Sequence, residues 1–381
     1  MQSLMDTKTY FIHIIGAALH GETAPPLPSD ADCARLYRLA VRNTVQRLFC
    51  KGLGAELAKF PAELQTKLQK SCQAAAVRES AQQDLLAALR AQFAEEAIDF
   101  MLLKGSHLKA LYPAPELRFM VDMDVLVRER DLMRAKAILL RFGLETEFDN
   151  GKDIVFVKKP FLTVELHRSL FQENYFMYPY FRAVWNRAQQ IGTHEYCMSD
   201  SDLYVYTLAH LAEHYTAAGS CFRPVMDLYL LETRRADALD FAYISAQFQE
   251  IGIEKFAENI RALAFCMFDG AQKTETLTMM ENFVTLGPPV QNASAASAAA
   301  VSQKSKRRRI LSAAFPSFRH MSVKYPILKK LPFLLPIFWA VRLVQYTFTK
   351  DKTIVRKKEE LQNADRKSAD VLARIFKESG L

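Results

Sequence analysis

Asp122-Met123-Asp124 sits inside the apolar run Phe119 to Val127. Alternation along a strand sends Asp122 and Asp124 to one face and Val121, Met123 and Val125 to the other. A third acid, Glu165, lies in a separate apolar stretch, Leu162 to Leu166. If that strand pairs beside the first, three carboxylates converge, a set able to hold one or two Mg²⁺ (or Mn²⁺) ions about 3.5–4 Å apart. Hard cations so placed also need phosphate oxygens. Lys104-Gly105-Ser106 offers that half of the site, since a glycine turn opening a helix brings backbone N–H groups and a hydroxyl close to a phosphate, and Lys104 adds a point charge. The chemistry this combination suits is nucleotidyl transfer: metals neutralise a triphosphate while one carboxylate helps deprotonate an acceptor hydroxyl.

Neighbouring residues extend the set. Arg118, four positions before Asp122, is placed either to contact the triphosphate or to form an ion pair with a carboxylate. His167 shares the strand face of Glu165 and reads first as a hydrogen-bond donor to the acidic cluster. His210-Leu211-Ala212-Glu213-His214 matches the His-x-x-Glu-His pattern of inverted zinc peptidases, but no further ligand is identifiable. The better use for His210, His214 and Asp227 is to line a cleft or to pack a helix.

The elements that must position these residues are legible from periodicity. Residues 1–97 carry helical spacing, with Leu64, Leu68 and Cys72 four apart and Leu85, Leu86, Leu89 and Phe93 on one stripe. Ile98 to Leu103 reads as a buried strand stopped by the Lys104-Gly105-Ser106 turn. Phe119 to Val127, Ile154 to Val157 and Leu162 to Leu166 read as further strands, and Asp131 to Phe142 as a helix ended by Gly143. Helical spacing returns after Ser199, where Ser199 to Asp202 offers N-caps. The Ala/Ser-rich stretch Asn292 to Ser302 suits a flexible linker or a weak helix.

Half of the 381 residues are apolar and 24% are charged, which excludes wholesale disorder and a disulfide-rich miniprotein. Six cysteines never approach Cys-x-x-Cys spacing and read as reduced core residues. With no signal-peptide pattern at the start, a cytoplasmic location is expected. The net charge of +8 is uneven: Val301 to Lys358 holds fifteen Lys or Arg and one acid, and the remainder is mildly acidic. Any attraction to an acidic membrane surface or to nucleic acid therefore belongs to residues 304–358. Leu331 to Phe348 is apolar but interrupted by Pro332, Pro336 and Arg342, so it suits an interfacial or packed helix better than a membrane span.

Together, Leu103-Lys104-Gly105-Ser106, Arg118 before Asp122-x-Asp124, and Glu165-Leu166-His167 resemble the uncharacterised nucleotidyltransferase family of the DNA polymerase β-like superfamily. The resemblance extends through His210, His214, Arg223 and Asp227 to Tyr325-Pro326 and Arg342, about Ile98 to Arg342. It implies an α+β polymerase β-like core, a mixed sheet with flanking helices, between helical N- and C-terminal regions. Asp122, Asp124 and Glu165 would be metal ligands and catalytic acids, and Lys104, Gly105, Ser106 and Arg118 would hold the nucleotide's phosphates. The expected organisation is a helical region (1–97), the α/β core (98–190), a helical domain (199–290), an Ala/Ser-rich linker (291–303) and a basic amphipathic tail (304–381). The expected activity is Mg²⁺-dependent transfer of an NMP group from an NTP, such as ATP, to a hydroxyl or phosphate acceptor. The alternative is a non-catalytic binding protein on the same scaffold, peripheral to a membrane or part of an assembly. The superfamily's further glycine is absent between Ser106 and Leu117, and Glu165 stands where many relatives have Asp.

Overall fold

The computed structural model describes residues 6–219, 221–290, 293–302, 318, 321, 325–348 and 366–381. The basic run from Lys304 to Arg309 lies outside the described residues. Four helices come first: α1 (Thr7–His20), α2 (Cys33–Arg42), α3 (Gln46–Leu53) and the long α4 (Ala62–Glu95). Asp6 caps α1 by accepting the Lys8 and Thr9 amides, and Asp32 caps α2 through the Arg35 amide.

Next in the chain is the core: β1 (Phe100–Leu102), α5 (Gly105–Leu108), β2 (Met123–Val127), α6 (Leu132–Arg141), β3 (Glu145–Asp149), β4 (Asp153–Lys158), β5 (Leu162–His167), α7 (Tyr178–Phe181), β6 (Gln189–Gln190) and β7 (Glu195–Cys197). Together the strands form one mixed sheet in the order β3-β4-β5-β2-β1-β7-β6. β2 runs antiparallel to β1 and parallel to β5, and β4 and β5 form an antiparallel hairpin.

Strand parity divides the sheet into two faces. Phe100, Leu102, Met123, Val125, Val127, Ile154, Phe156, Val164 and Leu166 turn to one side, where Leu85, Leu86, Leu89 and Phe93 of α4 and Ala135, Ile138 and Leu139 of α6 close a continuous apolar core. Each such large side chain contributes about 1.5–3 kcal/mol on burial. That anchoring fixes register, because a one-residue slip would turn every core residue outward. Asp124, Glu165 and His167 consequently stand on the opposite face.

The strand expected from Phe119 starts only at Met123. Upstream, the Phe119 carbonyl accepts from Arg223 Nη1 at 2.7 Å and the Met120 carbonyl from Gln82 Nε2 at 3.2 Å, so side chains take the place of a ladder. Val121, expected to share the strand face of Met123 and Val125, lies outside the strand and is 41% exposed. β3, β6 and β7 carry no apolar run and went unanticipated; β3 is an edge strand exposed along its length.

After β7 come α8 (Asp200–Thr216), α9 (Phe222–Arg234), α10 (Phe241–Ile251), α11 (Glu254–Phe268) and α12 (Glu275–Leu286). Ser199 caps α8 by accepting the Asp202 amide at 3.0 Å. The Ala/Ser-rich stretch, expected as a linker or a weak helix, is helical as α13 (Ala293–Ser302), in keeping with the helix propensity of alanine. Two further helices are α14 (Leu335–Phe348) and α15 (Arg366–Ser379).

Two compact units organise the described residues: one holds the sheet and the helices through Ala212 and up to Leu286, the other holds residues 213–219 and nearly all described residues from Gly287 onward. In the second unit α13 packs against α15, where Ala296, Leu372 and Phe376 are buried. Among the described residues no helix is long and apolar enough to cross a membrane.

Candidate active site

Asp124 and Glu165 are direct register partners across the parallel β2–β5 pair, with Leu126 opposite His167 two residues further along each strand. Equal parity puts Asp124, Glu165 and His167 on the face away from the α4–α6 core. One ligand atom from each lies within 4.8 Å of the others. His167 is buried, with Nε2 3.0 Å from Asp124 Oδ1 and 3.6 Å from Glu165 Oε2. Its Nδ1 is buried without a hydrogen bond and lies 3.7 Å from Asp153 Oδ2.

Asp122 stands one residue before β2 and is not in that three-atom cluster. It still shares the electrostatics: burial, then the charge of Asp124, raises its carboxyl above the usual range, with Lys104 and Arg223 opposing. Glu165 is pushed up to about 8 by burial and by Asp124, Asp122 and Asp153 in turn. Asp124 goes the other way. Burial works against its charge, but Lys104, the His167 hydrogen bond and His210 together hold it well below the ordinary carboxylate range.

Lys104 lies at the end of β1, where the Leu103 amide donates to the Asp124 carbonyl at 3.0 Å. Its Nζ is 3.5 Å from Asp124 Oδ2 and 3.0 Å from His210 Nε2. The expected phosphate lysine therefore stands among the acids, its ammonium neutralising Asp124. His210 of α8 belongs to this group through Lys104.

The Gly105-Ser106 turn is where expected, opening α5, but several of its donors are used locally. The Ser106 amide donates to the Leu103 carbonyl, and the His107 and Leu108 amides to that of Lys104. Ser106 also lines a cavity of about 240 Å³ with His107, Asp200 and Arg235. Gly105 has a steric reason to be glycine: a Cβ there would lie 2.8 Å from Met120 Sδ and 3.2 Å from Arg118 Nη1.

Arg118 is placed differently from the expected triphosphate contact. Its Nε and Nη2 each donate to Asp227 at 2.7 Å, both side chains are buried, and Tyr112 Oη donates to the same carboxylate at 2.8 Å. The ion-pair alternative is realised with an acid of α9, not with the β2 or β5 acids. Arg118 thus ties α9 to the segment leading into β2, and Arg223, one turn before Asp227, ties in Phe119.

Asp153 is the acid that sequence reading missed. A signal existed: the β4–β5 hairpin pairs Lys158 with Leu162, and counting back along both strands sets Asp153 opposite His167.

A mixed sheet that brings carboxylates of two parallel central strands together beside a Gly-Ser turn has the architecture of a nucleotidyltransferase core. The chain matches an uncharacterised nucleotidyltransferase family over residues 29–269, and it belongs to that family. The match takes in α2 to α4 ahead of Ile98, more than the motifs indicated, and ends before the segment 325–342 that the resemblance included. No curated protein and no solved structure matches the chain.

Proposed function

We propose that this protein transfers a nucleoside monophosphate from an NTP to a hydroxyl or phosphate acceptor. The bond from the α-phosphorus to the bridging oxygen breaks, pyrophosphate leaves and a new P–O bond forms to the acceptor. The observation that carries the reading is the Asp124–Glu165 register pair, with Asp122 adjoining it and Lys104 at its edge.

The donor set fits a divalent cation. Two carboxylates and an imidazole converge, Asp122 adds charge, and the Lys104 ammonium already stands where positive charge is wanted. Asp124, Glu165, His167 and Asp122 would hold the ion, of which Mg²⁺ or Mn²⁺ suits the oxygen-rich set. Such an ion supplies charge neutralisation on the triphosphate and on the departing oxygen. With His167 Nε2 turned to a cation, its proton would reside on Nδ1, facing Asp153, a carboxylate placed to orient the ring.

The chain's own groups then divide the work. One of the three carboxylates, Asp122, Asp124 or Glu165, would take the proton from an acceptor hydroxyl. Lys104 would exchange Asp124 for a phosphate oxygen, and Ser106 Oγ would donate to the same group. Arg118 acts as a positioning residue, holding the approach to β2 against α9. Incubation with each labelled NTP, with and without Mg²⁺, and mass analysis of small and protein products tests the reading. A Mg²⁺-dependent NMP adduct that Asp124→Ala abolishes is expected; no product with any NTP and acceptor set would overturn it.

Two observations favour the alternative of a binding protein on this scaffold: Lys104 already neutralises Asp124, and the Ser106 and His107 amides are spent within the turn. Mg·NTP binding without product would select it. For the C-terminal segment, Phe333, Ile337 and Val341, four residues apart and exposed, favour an acidic lipid surface as the partner of residues 304–358 over nucleic acid. The protein would then be cytoplasmic and peripheral at the membrane. Anionic vesicles should retain the full chain and release one truncated before Lys304.

A further inference from the structure

Cysteines were expected to be core residues, and Cys221 and Cys266 are, but Cys33, Cys50, Cys72 and Cys197 are only partly buried. Two of these meet. Cys50 on α3 and Cys72 on α4 place their Sγ atoms 3.7 Å apart, in S–H···S contact. A disulfide needs about 2.05 Å, so closure requires the two sulfurs to approach from this contact. Beside them is Arg47, one turn before Cys50 on α3, whose Nη1 is buried and makes no hydrogen bond. An unsatisfied buried guanidinium nitrogen is costly, and the Arg47 charge acts on the Cys72 thiol, favouring its thiolate.

We propose that Cys50 and Cys72 form an oxidisable dithiol, which Arg47 activates and which closes into a disulfide between α3 and α4 on exposure to peroxide. The inference is independent of the nucleotidyl-transfer reading.

Electrostatics assign the order of events. The contact with Cys50 and the charge of Arg47 outweigh burial and bring the Cys72 thiol down to about 7, whereas the contact with Cys72 and burial push Cys50 up. Cys72 thiolate is therefore the attacking sulfur. It takes the distal oxygen of hydrogen peroxide, the O–O bond breaks, and Cys72 becomes a sulfenic acid as hydroxide leaves and is protonated to water. Cys50 sulfur then attacks Cys72 sulfur, the S–O bond breaks, and the hydroxyl departs as water with the Cys50 proton. The two sulfurs together lose two electrons and the peroxide is reduced to two waters.

The consequence is mechanical. The bond would join α3 to the outer half of α4, the helix whose inner half carries Leu85, Leu86, Leu89 and Phe93 into the sheet core and whose Gln82 holds the Met120 carbonyl beside Gly105.

Trypsin separates the pair cleanly, since 48–51 and 71–78 each hold one cysteine between cleavage sites. The full chain is treated with hydrogen peroxide, alkylated and digested without reduction. A linked 48–51/71–78 species two hydrogens lighter than the sum is expected, formed about tenfold faster than any other cysteine product. Cys50→Ser should abolish the link and leave a Cys72 sulfenic acid that dimedone traps. Arg47→Met should slow oxidation and move the pH midpoint of Cys72 alkylation upward by about one unit. Should Arg47→Met disturb folding, the alkylation profile of the unmodified protein decides instead: Cys72 should react with a midpoint near 7 and Cys197 well above it. Oxidation of Cys33 or Cys197 with the 48–51 and 71–78 peptides still unlinked, or a Cys72 midpoint indistinguishable from that of Cys197, would overturn the proposal.

Discussion

Lys104 Nζ lies 3.5 Å from Asp124 Oδ2, so the chain itself supplies a cation at the acidic cluster. Both side chains are largely buried, and His210 Nε2 also contacts the ammonium at 3.0 Å. An ammonium there stabilises Asp124 as a carboxylate and competes with any divalent ion for the same oxygen. The two roles proposed for Lys104, stand-in cation and phosphate ligand, make opposite predictions for metal and nucleotide.

Lys104→Met should bind Mn²⁺ alone about three- to tenfold more tightly than the unmodified chain, because the competitor is gone. It should bind Mn·NTP more weakly and lose at least about 100-fold in turnover, since no point charge meets the phosphates. Isothermal titration with metal alone, then with NTP at saturating metal, separates the two. Equal weakening of both would show that Lys104 only supports the fold.

The Arg118–Asp227 pair predicts a stability effect. Asp227→Ala strands a buried guanidinium beside Tyr112, and breaking a buried pair in this way costs roughly 3–5 kcal/mol. The double variant Arg118→Met, Asp227→Leu removes both charges and should recover most of that loss. Urea unfolding of the three proteins checks it: similar losses for single and double variants would mean that packing, not charge, holds this junction.

How far the sequence reached is clear from the same residues. Apolar alternation in β2 and β5 and the helical stripe of α4 were readable because each element has one face on the core, and parity then sets Asp124 and Glu165 opposite that core. Asp153 and β3 were harder, the first because its register partner lies across a hairpin and the second because an exposed edge strand carries no apolar period. The partner of Arg118 was out of reach, since Asp227 is 109 residues away and only tertiary packing brings α9 to it. The early start of β2 at Phe119 failed because Arg223 and Gln82, both distant in sequence, claim carbonyls that a ladder would otherwise have used.

A side chain at Gly105 must displace its neighbours. A methyl group there would press on Met120 Sδ at 2.8 Å and on Arg118 Nη1 at 3.2 Å, a clash of the overpacking kind that costs about 1–3 kcal/mol. Gly105→Ala should lower the unfolding midpoint, and its loss combined with Met120→Ala in one chain should be smaller than the sum of the two single losses, because the sulfur is the nearer obstacle. Thermal melts of the single and double variants measure this; strict additivity of their losses would remove Met120 as the cause.

Glu165 gives the pH prediction. Its carboxyl is raised in the folded chain to about 8, from an ordinary value of 4.5, by burial and by three neighbouring acids. Between those values the folded state binds more protons than the unfolded state, so this contribution to stability is fully present below about pH 4.5 and is lost as pH rises towards 8. A metal ion competes with the same proton. Its affinity should therefore rise with pH by up to about tenfold per unit until Glu165 is ionised, then level off above about pH 8. Glu165→Gln removes the titrating group: stability at pH 8 should increase relative to the unmodified chain, while Mn²⁺ binding weakens and loses this share of its slope. Urea midpoints at about pH 5.5 and 8.5, paired with Mn²⁺ titrations at the same two values, test both halves. A Glu165→Gln variant whose metal affinity climbs with pH as steeply as before would show that another group, not Glu165, holds the competing proton.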